Sequence, residues 1–368
     1  MRRAVVSRTG LAGLALAVVA GLVVGCGGSD SSSGGSGGGS GSGAAATGGG
    51  QITFNTWGGA YQEAQMKAIV DPFQETQKTK VNVTQPIDYA KLKSMVDTGN
   101  VVWDVADVEP YVSRRGCKEG WLEKLDYKVI DPNGLLDTMP KTECSVPNGA
   151  FGLPMSYRTD KWADGHPTTW AEFFDTKRFP GKRSFPKYAE SGILEAALLA
   201  DGVKKEDLYP IDVQRAFRKL DTIKKDIVFW ESGDQSEQLM QTGEVTLCAC
   251  WATRMYDAKT NQDTPIAIEW QDAIYGWDDF VVPKGAKNLA RAMEFIQYAT
   301  HPDQEVAMTK YTPWGPSRTA AAAKADPATR DWVPTTPEHA KIGVPLDYEY
   351  YGENAAKLDE QFAQWLLK

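Results

Sequence analysis

Residues 51–108 alternate between two periodicities, and that alternation limits the fold more than any other feature of the chain. "QITFNTW" reads as a strand, Tyr61 to Val70 as a helix, and Asp71-Pro72 as the cap and first position of a second short helix. Strand 80–84, a helix near 89–98 stopped by Gly99, and strand 103–108 ("WDVADV") complete the run. A β-α-β-α-β order predicts a mainly parallel sheet with helices on both faces. A second region follows, with helices at 212–226 and 235–242 and strands at 244–250 and 265–270. Strand 279–282 ("DFVV") and the helix in "KNLARAMEFIQYA" return to the first style of unit. The chain ends in an amphipathic helix, Glu353 to Leu367.

What precedes residue 51 is of a different kind. Arg2, Arg3 and Arg8 stand ahead of an apolar run from Leu11 to Val24, which at 14 residues is shorter than a membrane-spanning helix requires. A basic start with such a run is a secretory leader, here residues 1–25. It ends in Val23-Val24-Gly25-Cys26, which resembles a bacterial lipobox, and that implies lipidation of Cys26. From Gly27 to Gly50 the chain has 12 Gly and 7 Ser in 24 residues, too little apolar surface to order itself. Residues 26–50 are therefore expected to be a lipidated tether with an r.m.s. reach of roughly 25–30 Å. The expected location is the outer face of the cytoplasmic membrane, held through the N-terminal lipid alone. Loss of the leader takes three of the 40 Lys+Arg and leaves 48 Asp+Glu, a net charge of −11. That balance disfavours nucleic acid.

Four cysteines remain after Cys26. Cys117 and Cys144 flank a turn-rich excursion, and in an oxidising compartment they are expected to form a disulfide worth about 2–4 kcal/mol. Cys248 and Cys250 in "EVTLCACW" share one face of a strand and are expected to be small buried packing residues. No set of soft ligands at metal-binding spacing accompanies them.

In open α/β sheets, ligands sit at the carboxyl ends of strands and at helix N-termini. Three strand ends supply candidates. Trp57 follows the first strand, and Gly58-Gly59 opens the next helix. Glu109 and Tyr111 follow "WDVADV". Trp277 and Asp278 lie just before strand 279–282. An ammonium group is attracted to an aromatic face by about 0.5–2 kcal/mol, and a carboxylate adds charge-assisted hydrogen bonds. Trp57 and Trp277 offer faces; Glu109 and Asp278 offer anions. Beyond strand 244–250, Trp251 and Arg254 are the second-region candidates, with Arg254 able to pair bidentately with a carboxylate. Bare backbone at Gly58-Gly59 would leave N–H groups reachable by the same carboxylate.

The lipobox, the Gly/Ser tether, "TFNTWGGAY…DPF", "WDVADVEPY…GCKEGWLEKLD", "YGWDDFVVPKGAKN" and "AMEFIQYATHPDQEVAMTKYTPWGPSRTAA" together resemble the substrate-binding proteins of ABC importers. Within these the chain is similar to the spermidine/putrescine-binding group, which includes receptors for GABA-like amines and opines. The resemblance implies an α/β, two-lobed, type II periplasmic-binding-protein-like fold, its hinge-connected lobes each having a mostly parallel sheet flanked by helices. Crossings fall near 150–156, 272–278 and 313–318, giving lobe 1 as 51–152 plus 276–314 and lobe 2 as 153–275 plus 315–368. It also implies a monomer that carries a small amine to a membrane permease and its ATPase, with no cofactor.

Residue by residue, Trp57 matches the group's aromatic after the first strand, Asp278 its ammonium-binding aspartate and Tyr111 its cleft tyrosine. Two positions depart. The aromatic two before that aspartate is Gly276 here, with Trp277 as the substitute. The acidic pair of the second lobe falls at Ala189 and Gly192, leaving Glu190 and Glu195 nearby on what reads as a helix.

Rival classes lack their residues. Three histidines and no G-x-S-x-G, H-E-x-x-H or S-x-x-K in a suitable setting argue against a hydrolase. An Fe(III) receptor would use clustered tyrosines such as Tyr348, Tyr350 and Tyr351, which lead into the C-terminal helix and suit packing. Ser317 and Arg318 sit at an expected crossing and read as structural. A sensor or adhesion module is the remaining alternative.

Overall fold

The computed structural model describes residues 50–162 and 165–368. The leader, Cys26 and all of the tether but Gly50 lie outside the described residues. Among the described residues, no helix is long and apolar enough to cross a membrane.

Among the described residues, nine strands form one hydrogen-bonded sheet: β1 (Gly50–Asn55), β2 (Thr79–Thr84), β3 (Val105–Val108), β4 (Ser145–Arg158), β5 (Arg183–Pro186), β6 (Ile227–Trp230), β7 (Leu247–Ala249), β8 (Ile266–Val281) and β9 (Val344–Pro345). Their order is β2-β1-β3-β8-β4-β7-β5-β6, with β9 on β8. β2, β1 and β3 are parallel, as are β7, β5 and β6. Between these two blocks run β4 and β8, long and antiparallel to each other and to their flanking neighbours. Each block is the βαβ arrangement that the alternation dictates. Gly315 joins the crossing region by bridging Ala150.

The structure corrects four local expectations. Residues 265–270 and 279–282 are not separate strands; both belong to β8. The segment between them pairs with β4, from Leu153 opposite Ile274 to Gly149 opposite Asp278, so its backbone groups are satisfied as strand. Asp71-Pro72 opens the short helix Asp71–Gln77 as expected, but Val70 before it is already helical, so Asp71 is not a cap. The chain stays helical from Gly59 to Gln77, with a π turn over Met66–Val70 just ahead of the proline. Proline lacks the N–H and clashes with the preceding turn, and a π turn changes the spacing there. The last helix begins at Tyr348, five residues before Glu353, because the Asp347 carboxylate caps it by accepting from the Tyr350 N–H at 2.9 Å.

The fourth correction concerns cysteine. Cys248 and Cys250 are buried as expected but are disulfide-bonded to each other, with Cα atoms 5.2 Å apart. Residues two apart on a strand present side chains to one face, and this separation lies inside the range a disulfide spans. Cys117 and Cys144 are also bonded, across a 27-residue separation and with Cα atoms 5.7 Å apart. The core under the β1 block is aromatic, with Phe54, Phe73 and Phe280 all packed on or near Phe295. Around β5 the corresponding set is Trp170, Phe173, Phe174 and Phe185.

Candidate functional site

Where the two parallel blocks face each other across β4 and β8, they enclose a cavity of about 430 Å³. Trp57, Gly59, Glu109 and Tyr111 line it from the first block, Asp278 from β8, and Trp251 and Arg254 from the second block. Of the nine residues singled out from sequence, Gly58 and Trp277 do not line it.

Trp277 is a correction. Successive strand residues point to opposite faces, so Trp277 turns away from the cavity that Asp278 lines. It packs edge-on against Tyr348 at 4.7 Å and under the Arg114 guanidinium at 5.8 Å. The aromatic expected two residues before Asp278 comes from another strand. Phe151 is paired with Gly276 across the β4–β8 ladder, and a Cβ at Gly276 would collide with its ring. Phe151 lines the cavity and meets Trp251 edge-on at 6.3 Å.

The two glycines that open the first helix have specific neighbours. Both have positive φ, +88° at Gly58 and +60° at Gly59. A Cβ at Gly58 would strike the Gln85 amide. At Gly59 it would lie 2.7 Å from Nη1 of Arg254. The bare backbone therefore does not leave helix amides open to a ligand; it makes room for a guanidinium arriving from the opposite block. Arg254 is no surface residue. It rests in the slot between Gly59 and Gly233, and its Nη1 is 2.9 Å from Oδ1 of Asp234.

The cavity is also acidic. Behind the lining residue Tyr61, Asp107 is fully buried on β3 and accepts hydrogen bonds from Tyr61 (2.9 Å), Gln65 (2.8 Å) and Asn148 (2.8 Å). Asn148 reaches it because β4 shifts register between Pro147 and Gly149. In the lining, Glu109 is 8% exposed, and burial pushes its carboxyl up to about 7 against the opposing pull of the Tyr89 hydroxyl. Asp278, 3% exposed, is pushed well above the usual carboxylate range by burial first and by Asp107, Glu109 and Asp279 next. The Trp57 indole N–H faces Asp278 and opposes that shift, yet neither Trp57 Nε1 nor Asp278 Oδ1 closes a hydrogen bond at bonding distance.

Sequence reasoning missed further lining residues, and three of them bear on the chemistry. Tyr89 and Tyr188 complete an aromatic wall, with Tyr89 edge-on to both Trp57 (6.2 Å) and Tyr111 (6.1 Å). Tyr89 opens the helix that Asp88 caps, so a cap followed at once by an aromatic was a readable signal. Glu190 is the third. It sits in a 3-10 turn, Ala189–Ser191, not in a regular helix, and is 5% exposed with Oε2 unpartnered. Burial and the neighbouring Asp359 carboxylate raise its pKa. Glu195 does not join it, because its Oε1 accepts from the Tyr209 and Tyr351 hydroxyls, both at 2.6 Å. Tyr348, Tyr350 and Tyr351 pack on one another and on Tyr209, away from the cavity lining. Ser317 and Arg318 are tied to Glu305 and to backbone carbonyls, a structural role.

The cavity lining thus combines buried acids, aromatic rings and a guanidinium. A family model for bacterial extracellular solute-binding proteins matches residues 68–340. The gamma-aminobutyric acid-binding protein of Pseudomonas aeruginosa is 35% identical over 326 residues, 86% of this chain and 91% of that protein. The spermidine/putrescine-binding periplasmic protein of Salmonella typhimurium is 25% identical over 240 residues, 60% of this chain and 65% of that protein. Among solved structures, the Atu4243 GABA receptor matches with a TM-score of 0.80 at 37% identity, over 86% of this chain and 97% of that one. AgtB of A. tumefaciens R10, solved in complex with agropinic acid, matches with a TM-score of 0.77 at 31% identity, over 86% and 99%.

Proposed function

The chain belongs to the bacterial extracellular solute-binding proteins and has the type II periplasmic-binding fold, and from that premise we propose that it captures a small amine carrying a carboxylate, of the GABA kind, for an ABC importer. The observation that carries this reading is the make-up of the cavity lining. Asp278 and Glu109 lie among Trp57, Tyr89 and Tyr111 in the lining, and Arg254 enters the same cavity from the second block. An ammonium beside these acids gains charge-assisted hydrogen bonds and aromatic faces. A carboxylate beside Arg254 gains its planar fork. The unpartnered Asp278 Oδ1 is the acceptor that the ligand ammonium would satisfy. The name of the P. aeruginosa relative agrees with a monoamine that bears an acid.

The blocks on either side of β4 and β8 serve as the two lobes, with lobe 1 as 51–152 plus 276–314 and lobe 2 as 153–275 plus 315–368. Ligand enters the open form, and contacts from Trp251 and Arg254 then favour closure, which the permease senses. Cys26 anchors the protein as a lipidated monomer outside the cytoplasmic membrane, and it turns over no substrate.

Glu190 favours a second reading, a diamine. Its unpartnered oxygen, near Asp359 and Glu109, adds a carboxyl group from the second block that a second cation would pair with. Thermal-shift and calorimetric titration with GABA, putrescine, spermidine, choline and Fe(III) separate these outcomes, since a bound ligand raises the melting temperature. GABA is expected to bind with the tightest dissociation constant. A larger shift with putrescine would favour the diamine, and a shift with Fe(III) alone would overturn the amine class.

A further inference from the structure

Glu109 and Glu190 approach the cavity from opposite blocks, Glu109 at the end of β3 and Glu190 from the turn before the helix Ile193–Ala200. Each is more than nine-tenths buried. Glu109 is faced by the Tyr89 hydroxyl, by Tyr111, by Asp278 on β8 and by Asp359 on the last helix. Glu190 is faced by Asp359, Glu109, Tyr111 and Tyr188. Every charged neighbour of the pair is another acid. The cation among the described lining residues is Arg254, and Asp234 already holds it. Carboxyl groups that share a dry site cannot all ionise, because their repulsion adds to the cost of burial.

We propose that the ligand-free cleft binds a proton between Glu109 and Glu190, and that the ammonium of the arriving amine takes its place, so that capture releases a proton. In this exchange the carboxyl O–H bond breaks, the proton passes to water, and N–H donors of the ammonium bond the freed carboxylate oxygens. No electrons move. The cleft then carries one compensating positive charge whether empty or loaded. The upward displacement of both carboxyl groups agrees with this occupancy. The inference rests on the amine reading above and adds the proton as the competing ligand.

The test is calorimetric titration of the whole protein with GABA at pH 7 in phosphate and in Tris, whose ionisation heats differ. The proposal expects release of about half to one proton per ligand, and an affinity that falls about tenfold per pH unit below about pH 7. Identical heats in the two buffers overturn it. Failure of every amine to bind overturns the functional reading and this inference together, whereas binding without proton release overturns this inference alone. Infrared spectroscopy of the ligand-free protein provides a check that needs no ligand. A protonated-carboxyl band at pH 7 that Glu190→Gln reduces is expected, and its absence from the wild type overturns the proposal. Glu190→Gln leaves Glu109 as the one carboxyl of the pair able to hold the proton. E190Q should therefore bind GABA with less proton release, and release equal to wild type would overturn the assignment to this pair.

Discussion

Asp278 and Asp279 are neighbours on β8, equally buried, and treated oppositely by what surrounds them. Asp279 accepts hydrogen bonds from Ser113 and from Ser145 (2.8 Å), and the Arg114 guanidinium lies 3.6 Å away. Asp278 faces the cavity with Oδ1 unpartnered, next to an indole N–H that is also unpartnered. An unsatisfied buried polar group costs about 1–3 kcal/mol, so a stable fold keeps one only where something else repays it. Asp279 keeps Oδ1 unpartnered as well, so the contrast lies in the other oxygen: its Oδ2 is tied within the chain to Ser113, Ser145 and Arg114, whereas Asp278 turns to the cavity.

The largest effect expected is a divergence between the two aspartates. Asp278→Asn should weaken an ammonium ligand by about 1.5–3 kcal/mol, the range of a hydrogen bond to a charged group, and leave the unfolding free energy unchanged or higher. Asp279→Asn should do the reverse. It leaves Arg114 without its buried partner and should lower stability by about 1–3 kcal/mol, with affinity nearly unchanged. Calorimetry and denaturant titration on the same preparations decide it. If both variants lose affinity alike, the contrast between the two faces is wrong.

Arg254→Lys comes next. A lysine keeps the charge but loses the planar fork and the fit between Gly59 and Gly233. GABA affinity should fall about tenfold, which is about 1.4 kcal/mol, while putrescine affinity stays within twofold. An equal loss for both ligands would make Arg254 part of lobe closure, with no role in reading the carboxylate.

The cavity acids also set a pH dependence. Glu109 titrates at about 7 in the fold against its ordinary 4.5. A raised folded-state value means that the unfolded chain binds fewer protons in between, so its contribution is fully present below about pH 4.5 and is lost as pH rises through 7. The ligand-free protein should melt a few degrees lower at pH 8.5 than at pH 5.5. Asp278→Asn should shrink that difference, because its own carboxyl is displaced upward and it raises nothing once neutral. A melting temperature that climbs over this interval would show that the cavity acids are already ionised in the fold.

The sequence made the scaffold legible because periodicity reports burial directly. β1 to β3 and the helices between them follow from the alternation, and strand ends indicated Trp57, Glu109, Tyr111 and Asp278. Contacts between residues far apart in sequence were hidden. Gly59 makes room for Arg254, 195 positions later, and Phe151 takes the place left empty at Gly276. Neither partner can be found without the β4–β8 register. Glu190 was obscured by its turn, since a helical reading gives no reason for an inward carboxylate. Trp277 shows the converse, where nearness in sequence to Asp278 suggested a shared role that the period of two in β8 forbids.

That position supplies the smallest and most pointed prediction. Trp277 packs against Tyr348 and Arg114 on the far face, so Trp277→Phe keeps a ring there and removes only the indole N–H and part of the contact area. Affinity for an amine should change by less than about twofold, within the scatter of substitutions away from a site. Trp57→Phe makes the same chemical change on the cavity face. There the lost N–H faces Asp278, and the smaller ring offers a cation a weaker face, an interaction of about 0.5–2 kcal/mol overall. Its affinity should fall several-fold by calorimetry. Equal effects of the two tryptophan variants would mean that the faces of β8 are coupled through the strand, and the separation drawn from Asp278 and Asp279 would then hold for hydrogen bonding alone.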